Sequence, residues 1–194
     1  MTAADALVAL RGVVVALERL GVRHYVGGSL ASSAFGVARA TLDADLVADL
    51  RREHVAPLAA ALQAEYYVSS PMIAEAIVRK SCFKVIHLAT SYKVDVFVVK
   101  DRSYDRVAFE RMRRDALDPA DPSAEFFLAS PEDTVLNKLE WFRLGGEVSE
   151  RQWRDVLGVL RVQGDRLDRG YLVCWAAELG VRDLLEKASQ EASR

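Results

Sequence analysis

Apolar positions near the N-terminus repeat with a helical period. Leu7, Leu10, Val14, Leu17 and Leu20 step by 3, 4, 3 and 3, which places them on one face of a helix that Gly21 ends. His24-Tyr25-Val26 then reads as a short strand, broken by Gly27-Gly28-Ser29, and Leu30 to Phe35 reads as a helix. Thr41 to Val47 alternates apolar and acidic residues with the period of a strand. A helix is expected over 54–64, a strand at Tyr66-Tyr67-Val68 and a helix from Pro71 through Lys80. Phe83 to Leu88 and Lys93 to Val99 read as an antiparallel hairpin about Thr90-Ser91, followed by a helix over 103–113. Asp115 to Ser123, with two prolines and three aspartates, reads as a loop, and Phe126-Phe127-Leu128 as a short strand.

Beyond Ser130 the pattern is helical. Ser130 caps, Pro131 takes the first position, and Glu132 and Asp133 fill the first turn of a helix over 131–144. Helices near 149–163, 168–179 and 181–191 follow, separated by glycines. The fold expected is α+β: a small mixed sheet flanked by helices over 1–129, with a helical C-terminal region, 130–194, packed on it.

Composition narrows the function. The chain has 194 residues, 26 basic and 28 acidic, for a net charge of −2. That gives no global cationic field for nucleic acid and leaves only local patches. Arg79, Lys80 and Lys84 form one such patch, and Arg111, Arg113 and Arg114 another; each is a solvated face or a contact to RNA or an acidic partner. Cys82 and Cys174 lack CxxC partners, and His24, His54 and His87 lack ligand spacing. The cysteines are expected to be buried, and Trp141, Trp153 and Trp175 to belong to the core. No apolar run spans a membrane, and Asp5 falls where a leader would be basic, so the expected location is cytoplasmic.

The chemistry concentrates on the strand after the glycine turn. Asp43 and Asp45 are two apart and share a face, while Leu42, Ala44 and Leu46 point into a core. Two adjacent carboxylates repel unless a cation lies between them, and hard oxygens suit Mg²⁺ or Mn²⁺ with phosphate. The Gly27-Gly28-Ser29 turn precedes a helix, where backbone N–H groups favour phosphate. Either motif alone is common; in this order, with thirteen residues between Ser29 and Asp43, they are specific. Asp95 is a third acid in an apolar strand, flanked by Val94 and Val96, and reads as a solvated edge or a third metal ligand. Arg39 could contact phosphate, brace Asp43 or lie at the surface, and Thr41 could cap or line the pocket.

Lys138 shares a helix face with Val135, Leu139 and Phe142. It therefore snorkels or meets a partner such as a triphosphate or the acids. Asp155 lies on a partly buried stripe with Val148, Val159 and Val162, where an ion pair with a neighbouring arginine explains it as well as a site role does. Arg151, Arg154, Gly158 and Arg161 are expected to be solvated.

Gly28-Ser29, Asp43, Asp45 and Asp95 resemble the nucleotidyltransferase superfamily of the polymerase-β type. Arg39 to Val47 is most similar to its AbiEii-type toxin branch and small relatives, and Lys138 with Asp155 resembles that branch's helical signature. The resemblance implies a nucleotidyltransferase core that moves a nucleoside monophosphate from an NTP–Mg²⁺ substrate to the hydroxyl of tRNA or a protein. The implied setting is a toxin–antitoxin or phage-defence system, with a cognate antitoxin or partner protein; the smaller antibiotic-modifying relatives imply a small-molecule acceptor instead. Asp43 and Asp45 would hold the metals, and Asp95 a second metal or the acceptor's proton. Gly27, Gly28, Ser29, Arg39, Thr41 and Lys138 would hold the nucleotide, and Asp155 would orient Lys138 or the acceptor. The alternative is a non-catalytic nucleotide- or partner-binding protein on the same scaffold.

Overall fold

The computed structural model describes residues 3–117 and 125–193. In chain order these form α1 (Ala3–Arg19), β1 (His24–Val26), α2 (Gly28–Phe35), β2 (Asp43–Ala48), α3 (Val55–Leu62), β3 (Tyr66–Tyr67), α4 (Ser70–Arg79), β4 (Cys82–His87), β5 (Lys93–Val98), α5 (Ser103–Glu110), β6 (Arg113–Ala116), β7 (Glu125–Leu128), α6 (Pro131–Leu144), α7 (Glu150–Gln163), α8 (Arg169–Glu178) and α9 (Arg182–Ala192). This is a mixed α+β fold. It divides into two compact units, one of Met1–Val26 with Ala40–Glu110, the other of Gly27–Arg39 with Arg111–Arg194. The division is not a single cut after residue 129, because α2 packs on α6 and α7.

The first unit is built on five strands in the order β3-β4-β5-β2-β1. Neighbours are antiparallel except β2 and β5, which run parallel. Alternation divides the sheet into two faces. Ala44, Leu46 and Ala48 of β2, Val94, Val96 and Val98 of β5, and Phe83 and Val85 of β4 are buried. Helix α1 packs against β2 and β5, and α4 against β4 and β5. Leu10, Val14 and Leu17 supply the buried stripe of α1. The opposite face carries Asp43, Asp45, Lys84, Lys93 and Asp95, all half-buried or exposed.

The regular elements among the described residues of the second unit are helices and the paired strands β6 and β7. Helix α6 packs on α7 and α8, and α7 on α2 and α9. Gly36, just past α2, sets the approach to α7. A Cβ there would lie 2.8 Å from the Val159 nitrogen and 2.9 Å from the Gly158 carbonyl carbon, so only glycine lets the backbones come this close. Gly158 in turn lies against Val37 and is buried. Its expected place on a solvated face is therefore wrong, because the glycine-to-glycine crossing needs it inside.

Other expectations also give way. The helix expected over 103–113 stops at Glu110, and residues 113–116 pair with β7 instead of continuing the helix or entering a loop. Nonlocal ladder bonds outweigh local helix preference here. The rest of the expected loop, 118–124, lies outside the described residues. Leu42 is 64% exposed, because β2 begins at Asp43 and Thr41 bonds back to Asp43 ahead of the strand. Val148 precedes α7 and is exposed. Both cysteines are exposed. Trp141 is 48% exposed, since its face of α6 turns away from the buried Leu136, Leu139 and Phe142.

Candidate functional site

Strand register fixes the acidic face of the first unit. Parallel β2 and β5 place Asp45 opposite Asp95 and Asp43 opposite Lys93, and antiparallel β4 and β5 place Lys84 opposite Asp95. Directly opposed residues share a face. Thr41 donates its hydroxyl to the Asp43 carbonyl and to Oδ1, each at 3.1 Å, which fixes the first carboxylate. Burial pushes the Asp95 carboxyl above its usual range; Lys84 opposes this and Asp43 adds to it. Asp95 Oδ2 lies 3.7 Å from the Lys84 ammonium, while Oδ1 is buried without a hydrogen-bond partner. Beneath them Tyr92 is fully buried, and burial with the charges of Asp43 and Asp45 pushes its hydroxyl up to about 12.

These oxygens fit an Mg²⁺-type ion that draws its remaining ligands from phosphate, since such ions take one or two carboxylates and keep open positions. They do not fit a closed protein cage, because among the described residues no three His, Cys, Asp or Glu side chains converge on one point.

The second unit holds a compact charged cluster. Asp155 of α7 accepts from Arg39 Nε and Nη2, both at 2.8 Å, and from Lys138 Nζ at 2.7 Å. Ser29 Oγ accepts from Arg39 Nη2 at 2.7 Å and from Lys138 Nζ at 3.3 Å. The Asp155 side chain is 5% exposed and that of Lys138 10%. Burial would raise the Asp155 carboxyl, but the hydrogen bonds and charges of Arg39 and Lys138 prevail and hold it below the carboxylate range. Two cations thus converge on one carboxylate beside a hydroxyl. Ser29 sits in the first turn of α2, whose preceding Gly27 offers no side-chain cap. Gly28 stands at φ 54, where a side chain would be strained.

A separate cluster anchors the start of α6. Ser130 Oγ and the Tyr171 hydroxyl each donate to Asp133 at 2.6 Å, and Arg111 Nη2 donates to Glu132 at 3.0 Å. Glu132 also accepts from the Asp168 amide at 2.9 Å, tying α8 to α6. The Arg111 guanidinium lies 3.9 Å from the Tyr171 ring centre. This cluster explains Glu132 and Asp133 as structural acids beyond a helix-capping role.

The residues expected from sequence thus fall into two sets. Thr41, Asp43, Asp45 and Asp95 meet on one face of the first unit; Gly27, Gly28, Ser29, Arg39, Lys138 and Asp155 belong to the second. Lys138 meets a partner in Asp155. The arginine paired with Asp155 is Arg39, which is 116 positions away in sequence. Sequence reasoning missed Lys84 as the partner of Asp95 and Tyr92 as a buried support; only the hairpin register would have revealed Lys84. The basic patches are largely paired: Arg79 with Glu75 at 3.1 Å, Lys80 with Asp101 at 3.3 Å and Arg114 with Glu125 at 3.2 Å.

The sequence matches no protein-family model and no curated protein. Solved structures do match, and they define the class of fold as that of nucleotidyltransferases. The antibiotic-resistance factor ANT(2'')-Ia, determined in solution, is similar at a TM-score of 0.56 and 13% identity, covering 95% of this chain and 97% of that one. The same factor in complex with adenylyl-2''-tobramycin is similar at a TM-score of 0.56 and 12% identity, covering 91% and 97%. An antigenic nucleotidyltransferase-like protein from Paracoccidioides brasiliensis is similar at a TM-score of 0.52 and 17% identity, covering 96% and 93%. Among the described residues no helix is long and apolar enough to cross a membrane.

Proposed function

We propose that this chain is a metal-dependent nucleotidyltransferase that moves a nucleoside monophosphate from an NTP to an acceptor hydroxyl. The observation that carries the reading is the register of β2 and β5, which sets Asp45 beside Asp95 with Asp43 next along the same open face. The cluster of Ser29, Arg39 and Lys138 supports it, because it supplies positive charge and a hydroxyl suited to phosphate oxygens.

The acceptor oxygen bonds to the α-phosphorus, the bond from that phosphorus to the bridging oxygen breaks, and pyrophosphate leaves. Asp95 takes the acceptor's proton. Asp43 and Asp45 would hold a divalent cation, Mg²⁺ or Mn²⁺, which would supply positive charge against the triphosphate. Thr41 keeps Asp43 in place. Lys138 and Arg39 bind phosphate oxygens, Gly27 and Gly28 present the backbone beside Ser29, and Asp155 orients both cations.

For the acceptor, the resemblance of Arg39 to Val47 to the AbiEii-type branch favours tRNA or a protein, within a toxin–antitoxin or phage-defence pair. A small molecule is the other acceptor class, since one structure of similar fold holds adenylyl-2''-tobramycin. The test supplies each α-³²P-labelled NTP with Mg²⁺ and with tRNA, protein or small-molecule fractions. Label transfer with pyrophosphate release, lost in Asp43→Asn/Asp45→Asn, is the expected result. Mg²⁺-dependent nucleotide binding without pyrophosphate release from any fraction would replace this reading with the non-catalytic one.

A further inference from the structure

Lys84 is held at the acidic face by backbone register. It stands across the β4–β5 ladder from Asp95, and Asp95 stands across the β5–β2 ladder from Asp45. The Lys84 ammonium lies 3.7 Å from Asp95 Oδ2, against a carboxylate whose side chain is 17% exposed. A two-ion arrangement places a second divalent cation on the attacking side of the reaction, in contact with a carboxylate there. At Asp95 that place is already next to a lysine ammonium. A divalent ion brought to the same carboxylate would face the lysine at contact distance, and repulsion at that range weakens binding by about tenfold or more even in a water-like dielectric.

We infer that Lys84 takes the place of a second metal ion, so that this chain binds one divalent cation per nucleotide, at Asp43 and Asp45, and leaves Asp95 to a lysine partner. The inference rests on the proposed reading that Asp43 and Asp45 hold the nucleotide's metal. It makes Lys84 a positioning residue: the ammonium holds Asp95 in place on the open face that the two residues share.

The test counts Mn²⁺ by electron paramagnetic resonance in complexes with α,β-methylene triphosphates of the four nucleosides, which bind without transferring. Wild type is expected to hold one Mn²⁺ per bound nucleotide. Lys84→Met should hold two, or bind the second at least tenfold more tightly, while Lys84→Arg should stay at one. Lys84 is exposed, so the variants are expected to fold, and circular dichroism checks this. Two ions in wild type, or one in Lys84→Met, would overturn the assignment of Lys84 while leaving the site at Asp43 and Asp45 intact. If wild type shows no nucleotide-dependent Mn²⁺ binding, or if Asp43→Asn/Asp45→Asn retains it, the underlying reading fails and this inference with it.

Discussion

Removing the Asp155 carboxylate should be among the costliest single changes in the second unit, and the cost should be asymmetric between partners. Asp155→Ala leaves the Lys138 ammonium, only 10% exposed, with no carboxylate in reach of its present bond. Breaking a buried ion pair from one side costs about 3–5 kcal/mol, because the stranded charge keeps its desolvation penalty. Lys138→Met is milder, at about 1–2 kcal/mol, because Asp155 retains the paired bonds from Arg39. Combining Asp155→Leu with Lys138→Met should cost less than Asp155→Ala alone, since no ammonium is stranded. Urea unfolding, with slopes compared to confirm a constant denatured state, measures all three. The sign with pH follows from the depressed carboxyl. Its stabilisation is fully present above the unfolded value of about 3.9 and is lost as pH falls through the lower folded value. The gap between wild type and Asp155→Ala should therefore stay constant above about pH 5 and narrow in more acid solution. The reasoning is refuted if Asp155→Ala lies within about 1 kcal/mol of wild type, or if Lys138→Met costs as much.

Three further outcomes follow from the same geometry. Gly36→Ala should lower the thermal midpoint by several degrees, because its Cβ would meet α7 backbone at 2.8–2.9 Å; an overpacked contact costs about 1–3 kcal/mol, and an unchanged midpoint would show that the crossing can open freely. Tyr171→Phe deletes the 2.6 Å bond to the fully buried Asp133 and should cost about 1.5–3 kcal/mol by urea unfolding. Asp43→Asn and Asp45→Asn should abolish transfer while leaving the metal-free melting temperature unchanged or slightly raised, since each removes one of three like charges, Asp95 being the third, from a half-exposed face. A large loss of stability in either would mark the carboxylate as structural.

The parts legible from sequence were those set by local periodicity. Strand alternation put Asp43 and Asp45 on one face of β2 and separated Asp95 from its flanking valines. The helical stripe of α6 put Lys138 toward packed neighbours, and the structure buries it there. What stayed hidden depended on contacts between distant segments. No periodicity shows that β2 and β5 run parallel in a register that pairs Asp45 with Asp95. Asp155 could be recognised as wanting an arginine, but not as reaching one on the far side of α2. Gly158 looked solvated because a glycine carries no hydropathy signal, and only its backbone contact with Val37 reveals why it is small. Strand β6 was misread for a related reason: its ladder partner β7 begins nine residues beyond its own end, across a segment rich in Asp and Pro.

The two charged sets also differ in how they are balanced, and the difference bears on the order of binding. In the second unit Arg39 and Lys138 are held by Asp155, so their positions are fixed by hydrogen bonds before any phosphate arrives. Preorganised donors lose little on binding an anion. In the first unit Asp43 and Asp45 share one face of β2, Asp43 is held by Thr41, and the mutual repulsion of the two carboxylates is what a divalent cation would relieve. That face gains most from a cation. On the proposed reading, the donors of the second unit would meet a phosphate with little rearrangement, whereas the paired carboxylates of the first would gain most from the ion itself.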